Sequence, residues 1–254
     1  MWKVSTILML AATSTVLTAM MAQSSVQTGE PDGKGLAARP DSLNLNETVW
    51  IPHPTPAARS YAGCRFIDPA KMPAMTTWGD AQFKRNRPGF GPNPVSSGSN
   101  DPILACFPPG VPRVYVQFVP FQFVQLRGEI LELFEYDHFV RHIYTDGRSH
   151  PKEQELTWMG HSIGQFEGQT LVVDTVGMND KTWIDRAGHP HSSSLHVIER
   201  ISRPDRNTLL DDITIDDPKA YTAAFTGQMT FELQPKWELK EYICADNVDS
   251  NVQN

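Results

Sequence analysis

Seven of the eight histidines lie in one stretch of the chain, between residues 138 and 196. They are His138, His142, His150, His161, His189, His191 and His196. Histidine is the usual side chain for proton transfer near neutral pH, and it is also the commonest metal ligand. This stretch therefore predicts a functional site that uses either acid–base chemistry or a bound metal ion.

The tightest group is Gly188-His189-Pro190-His191, followed by His196. Alternate residues of an extended chain point to the same side, so His189 and His191 could present two imidazoles to one ion. His196 on the following strand could be the third ligand. Three histidines with an open fourth position suit one divalent metal such as zinc. The same composition is typical of a surface loop, and that alternative stays open.

A second group of candidates spans residues 135–142. Two carboxylates of this segment share one face of a predicted strand, so either could orient an imidazole from a neighbouring strand. The catalytic candidates are His138, His161, His191, Asp137 and Glu135, and the candidates for ligand binding are Tyr136, Arg141, Trp158 and Trp183. A half-exposed strand whose polar face carries charge pairs is the alternative interpretation of residues 135–142.

The segment Gly160-His161-Ser162-Ile163-Gly164 matches the Gly-x-Ser-x-Gly string of esterases. The esterase nucleophile needs a strand-to-helix turn. Residues 165–170 instead predict a hairpin, so we expect Ser162 to belong to a strand rather than to act as a nucleophile.

The elements that must position these residues are strands. After residue 112 the hydrophobic pattern has a period of two, with turns at short intervals, which predicts about ten short strands. The predicted strands are Val114–Leu126, which is broken at Pro120, Glu129–Tyr136, Phe139–Tyr144, Thr157–Phe166, Thr170–Val176, Leu195–Ile201, Thr208–Ile215, Met229–Leu233 and Trp237–Ile243. Asp146-Gly147 is a strong signal for a two-residue hairpin turn. We expect a mainly β domain over residues 113–247, in which an antiparallel meander closes into a lipocalin-like barrel; a two-sheet sandwich is the alternative.

Residues 23–112 have a different composition from the β domain. They contain 14 of the 20 prolines and nine of the 17 glycines, which predicts an irregular N-terminal arm. The apolar residues of this arm indicate that part of it packs on the β domain. A short helix is expected either in the arm or near residues 218–224.

The first 22 residues predict a secretory signal peptide. Lys3 is followed by an apolar run and by small residues near Ala22. A permanent membrane anchor is the alternative, although no later stretch is apolar enough to span a bilayer. The net charge is −7 and no Lys/Arg cluster is present, so no nucleic-acid partner is expected. We expect a secreted or periplasmic protein.

The three cysteines fit this location, because an exported domain can keep a disulfide. A bridge between Cys106 and Cys244 would connect the start of the β domain to its end, and Cys64 would then be unpaired. Three buried thiols are the alternative.

Several motifs together resemble a large family of exported bacterial proteins that has no established activity. They are Glu135-Tyr136-Asp137-His138, the segments 143–148 and 158–175, Leu195-His196-Val197-Ile198-Glu199-Arg200 and Asp216-Asp217-Pro218. The resemblance covers roughly residues 101–247. Members usually show Trp-Glu-Gly-Asp where this chain has Phe166-Glu167-Gly168-Gln169. The resemblance implies an exported β domain and no particular reaction.

These observations favour an exported enzyme with a histidine-lined pocket. It would act on a small organic molecule as a hydrolase, lyase or isomerase, using a histidine–carboxylate pair or a metal ion. The alternatives are a lipocalin-like protein that binds a small ligand without catalysis, and a structural envelope protein. Convergence of the histidines in one place would distinguish the enzyme from the other two.

Overall fold

A computed structural model describes residues 43–46, 49–52, 69–89 and 94–246. The predicted signal peptide and Cys64 lie outside the described residues. None of the helices in the described segments is long and apolar enough to cross a membrane.

Within the described segments, nine strands close into one barrel. They are β1 (Val49–Pro52), β2 (Phe121–Leu126), β3 (Glu129–Phe134), β4 (Val140–Tyr144), β5 (His161–Glu167), β6 (Thr170–Val176), β7 (His196–Asp205), β8 (Thr208–Asp216) and β9 (Phe225–Gln234). Each strand pairs with its neighbours in the chain, and β1 pairs with β9 to complete the ring. The predicted mainly β barrel is confirmed.

The prediction of an antiparallel meander is wrong at one position, because β4 and β5 are parallel. Parallel neighbours cannot be joined by a tight turn and need a crossover connection, which residues 145–160 supply. Asp146-Gly147 therefore opens this crossover instead of closing a hairpin. Gly147 does have the positive φ of 84° that such a turn requires. The Asp146 carboxylate, however, binds the side chain of Arg148 in the same loop.

The strands alternate between the barrel interior and its outer surface. In β6, Leu171, Val173 and Thr175 are buried, whereas Asp174 between them lies on the outer face. This period of two follows from the pleat of a strand. The same alternation determines which of the candidate site residues on the strands are exposed to solvent.

The predicted strand Val114–Leu126 begins later than expected. Residues Arg113–Gln117 form a 3₁₀ helix instead, and the strand starts at Phe121. The Tyr115 ring packs edge-on against Phe121 and Phe231 of the barrel wall. The 3₁₀ helix thereby fills part of the barrel interior with side chains.

The range predicted as an arm contributes regular structure to the fold. It contains β1 and the helix α1 (Thr77–Arg85). The side chain of Thr76 caps α1 by accepting a hydrogen bond from the Gly79 amide at 3.1 Å. A Cβ atom at Gly79 would lie 2.2 Å from the Ala220 carbonyl oxygen, so only glycine permits this close packing.

The disulfide between Cys106 and Cys244 is confirmed, with the two Cα atoms 5.6 Å apart. The predicted strand Trp237–Ile243 is not formed, and β9 is the last strand in the described residues. The Glu135 carboxylate instead accepts a hydrogen bond from the Lys240 amide at 2.9 Å as the chain approaches Cys244.

Candidate functional site

The outer face of the barrel carries a cluster of three histidines around one carboxylate. Asp174 Oδ1 accepts hydrogen bonds from His196 Nε2 at 2.8 Å and from His150 Nε2 at 3.2 Å. Asp174 and His196 lie on the neighbouring strands β6 and β7, and His150 comes from the β4–β5 crossover. Since all three side chains are partly exposed, the cluster is open to solvent.

His161 extends this cluster by one further imidazole. Its Nδ1 lies 2.8 Å from Nδ1 of His150, which is hydrogen-bonding distance. His161 is the first residue of β5, beside β6, so the sheet brings it next to the crossover. The result is a chain of hydrogen bonds from His161 through His150 to Asp174, and onward to His196.

The hydrogen bonds in this chain determine which nitrogen atoms carry protons. The Asp174 carboxylate only accepts, so His150 must donate from Nε2. When His150 is neutral, its Nδ1 is then an acceptor, and His161 must donate from its own Nδ1. This leaves the lone pair of His161 on Nε2. Among the described residues, none makes a hydrogen bond to that atom.

Local interactions move the pKa values of the two outer histidines apart. Partial burial, together with the charges of His150 and Arg148, lowers the pKa of His161. The hydrogen bond to Asp174 raises the pKa of His196. The hydrogen bond from His196 in turn lowers the pKa of Asp174. A less basic His161, connected to Asp174 through His150, and a more basic His196, bound to Asp174 directly, thus lie in one cluster. This arrangement is suited to paired base and acid roles.

An aromatic ring and a guanidinium border the cluster on the β4 side. The Tyr144 ring lies 5.3 Å from the His161 ring, measured between centroids. The Arg148 guanidinium lies over the Tyr144 ring, with its central carbon 3.8 Å from the ring centroid. His142, the next outward residue on β4, pairs with Glu129 at 2.7 Å instead. The cluster therefore combines proton-transfer groups with a cation at its edge.

The predicted metal site is not assembled. His189 Nδ1 pairs with Asp185 Oδ2 at 2.5 Å, and its ring stacks on Phe83 of α1. His191 is buried and its Nδ1 lies 3.1 Å from the Ser192 carbonyl oxygen. His196 points instead to Asp174. In the described segments, no group of three or more His, Cys, Asp or Glu side chains is placed to hold a metal ion.

The residues at 135–138 have structural contacts. Asp137 Oδ1 accepts a hydrogen bond from the Cys244 amide at 3.2 Å, and the Tyr136 hydroxyl lies 3.3 Å from the Ile103 carbonyl oxygen. Glu135 binds the chain near Lys240, as described above. His138 is exposed, with a positive φ of 54°. Because Glu135 and Asp137 hold the segment before the disulfide, they do not orient an imidazole.

Arg141 lies inside the barrel rather than at a ligand site. Its guanidinium donates to Glu199 on β7, to Glu132 on β3 and to the Tyr115 hydroxyl. Ser162 also faces this network, accepting from Arg141 Nε at 3.1 Å. All five side chains are buried, so Ser162 has no access to a substrate.

The interior network contains more acid than base. Burial raises the pKa of Glu132 to about 7. Asp211 on β8 is also buried, with no hydrogen-bond partner for either oxygen among the described residues, and burial raises its pKa well above the usual value. Neither carboxylate was among the site residues expected from the sequence. The signal was present, since Glu132 lies between Ile130 and Phe134 at the spacing of one strand face.

The two tryptophan candidates lie in different environments. Trp158 is partly exposed and stacks on Phe107, with the ring centroids 4.9 Å apart. Trp183 is buried, and the Arg113 guanidinium lies over its indole ring, 4.9 Å from the ring centroid. Among the described residues, neither tryptophan has a ring contact with a histidine of the cluster around Asp174.

No protein-family model, no curated protein and no solved structure matches this chain. The resemblance to exported bacterial β proteins therefore stays a prediction.

Proposed function

We propose that the protein is an exported enzyme that transfers protons at the outer surface of the barrel, with His161 as base and His196 as acid. The observation that carries this proposal is the hydrogen-bond chain from His161 through His150 to Asp174. The Asp174 carboxylate fixes the tautomer of His150, and His150 in turn fixes the tautomer of His161. The same principle positions the histidine of a catalytic triad.

The reaction follows from the protonation states. His161 Nε2 would remove a proton from a carbon atom of a small organic substrate, or from a water molecule that attacks the substrate. His196, whose pKa is raised by Asp174, would return a proton to the departing or rearranged group. This cycle serves elimination, isomerisation or hydrolysis.

Export is part of the same proposal. It is supported by the signal-like sequence of residues 1–22 and by the disulfide, since such bonds persist in oxidising compartments. Ligand binding inside the barrel, as in lipocalins, is the alternative. The packing of Tyr115 and the Arg141 network in the interior favours the outer site.

A general-base probe tests the proposal. The mature protein should accelerate the elimination of 5-nitrobenzisoxazole, in which a base removes one carbon-bound proton. General-base catalysis contributes about 100-fold or more, so His161→Gln should reduce the protein-dependent rate by about that factor. His142→Gln is the matched control, because His142 is an exposed histidine of the same wall whose Nδ1 pairs with Glu129 and not with a member of the cluster. Equal rates for wild type and His161→Gln would contradict the assigned base.

A further inference from the structure

A second candidate site lies in a cleft that is lined by residues outside the histidine cluster. It encloses about 530 Å³, and its lining includes Asn100, Pro102, Leu104, Phe107, Trp158 and Lys181. A volume of several hundred cubic ångströms is typical of sites for small molecules. None of these residues belongs to the acid–base cluster.

One wall of the cleft is aromatic and unusually exposed. Phe107 stacks on Trp158 with the two rings only 9° from parallel. Phe107 remains 47% exposed and the neighbouring Leu104 36% exposed. Large apolar side chains exposed side by side indicate a binding surface more often than single ones do. A flat apolar group could cover the free face of Phe107.

The floor of the cleft is fixed in place. The 3₁₀ helix Pro102–Ala105 ends at Cys106, which the disulfide ties to Cys244. Asp101 at its start accepts a hydrogen bond from the Ile103 amide and forms a buried ion pair of 2.6 Å with Arg113. The cleft is therefore held open by a covalent bond and by a buried ion pair, and a ligand would bind without ordering it first.

The cleft has one uncompensated positive charge. Asp101 is neutralised by Arg113, whereas no carboxylate of the described residues forms an ion pair with Lys181. The Lys181 ammonium lies 5.9 Å from the centroid of the Trp158 ring. An anionic group bound at the edge of the aromatic wall would meet this ammonium.

We infer that this cleft binds a small planar aromatic anion, with its ring on Phe107 and its carboxylate or sulfonate at Lys181. The inference is independent of the proposed catalytic cluster, because it uses none of the histidines. In this site Trp158 supports the Phe107 ring from behind, and Lys181 binds the anionic group of the ligand.

Two fluorescent probes that differ by one sulfonate group test the inference. 8-Anilino-1-naphthalenesulfonate is an aromatic anion with a flat naphthalene ring, and N-phenyl-1-naphthylamine is the uncharged amine without the sulfonate. The anion should bind the folded mature protein with a stoichiometry of one. Phe107→Ser should weaken both probes by about tenfold, because it removes the apolar surface that the rings cover. Lys181→Gln should weaken the anion by about fivefold and leave the neutral probe unchanged.

Matched variants separate the cleft from other surfaces. Leu126→Ser removes an equally exposed apolar side chain from the end of β2, and Lys236→Gln removes an exposed ammonium outside the cleft. Both should leave binding unchanged. Binding of several probe molecules, the absence of binding, or an anion affinity that is insensitive to Phe107→Ser or Lys181→Gln would overturn the inference. These outcomes do not depend on His161, so they are distinguishable from a failure of the proposed acid–base function.

Discussion

His150 and His161 share a hydrogen bond of 2.8 Å between their Nδ1 atoms, and this bond requires the two rings to hold different tautomers. His150 is fixed by Asp174, and His161 is fixed by His150. The lone pair of His161 is consequently directed away from the chain, on Nε2. The following predictions test this arrangement and the barrel that supports it.

The rate of the 5-nitrobenzisoxazole elimination should rise with pH on its acid side. His161 must be neutral to act as base, and its pKa is lowered below the ordinary 6.5. The rate should therefore be half-maximal below pH 6.5. Asp174→Asn removes the carboxylate that fixes the His150 tautomer, so it should reduce the rate at every pH. A midpoint well above pH 6.5 in the wild type would contradict the assignment of His161.

Thermal stability should decrease as the pH rises through about 7 because of Glu132. Burial raises the pKa of this carboxyl from 4.5 to about 7 in the folded protein. Between these two values the folded state binds a proton that the unfolded chain has released, so rising pH destabilises the fold. Glu132→Gln imitates the protonated acid. It should flatten the dependence of Tm on pH between 5 and 8 and raise Tm relative to wild type at pH 8.

The exposed Glu155→Gln is the control for this measurement, and its Tm should follow the wild-type pH dependence. A Glu132→Gln variant that loses stability at pH 8 would show that the folded protein holds this carboxyl ionised.

Arg141→Met should destabilise the barrel strongly. The substitution leaves Glu199 buried without its cation and removes a hydrogen-bond donor from the buried Glu132. Removing one partner of a buried ion pair typically costs about 3–5 kcal/mol. Arg200→Met offers a matched control, because Arg200 pairs with Glu167 on the surface, where a pair contributes about 0–1 kcal/mol. Urea denaturation measures both, and similar free energies of unfolding for the two variants would refute the role of the interior network.

Replacement of both Cys106 and Cys244 by serine should lower the free energy of unfolding. The disulfide closes a loop between residues separated by 138 positions. Bridges of this kind contribute about 2–4 kcal/mol, chiefly by restricting the unfolded chain. Denaturation of the oxidised wild type and of the double variant gives the difference. An unchanged midpoint would mean that the two cysteines are not bridged in the purified protein.

Much of the barrel could be predicted from the sequence, since the period of two and the turn residues locate most strands between 121 and 234. The direction of β5 could not, because a strand has the same period whether its neighbour is parallel or antiparallel. Asp146-Gly147 has the residues of a hairpin turn, yet long-range pairing of Ile143 with Ser162 determines the topology.

The site could be predicted only in part. The density of histidines directed attention to His161 and His196, which the structure places in one hydrogen-bonded cluster, but the sequence grouped His196 with His189 and His191 instead of with Asp174. Asp174, which organises the cluster, occurs within an apolar strand and is 22 residues from His196. Residues so far apart meet only after the strands have paired. Local spacing at His189 and His191 was therefore a poor guide to their partners.

The most direct test of the central claim is long-range ¹H–¹⁵N correlation NMR of the histidine rings in the wild type, with His161→Gln and His196→Gln for assignment. At neutral pH the account predicts a proton on Nε2 of His150 and on Nδ1 of His161, with Nε2 of His161 unprotonated. A pH titration should then give a pKa below 6.5 for His161 and above 6.5 for His196. A proton on Nε2 of neutral His161, or the reverse order of the two pKa values, would contradict it.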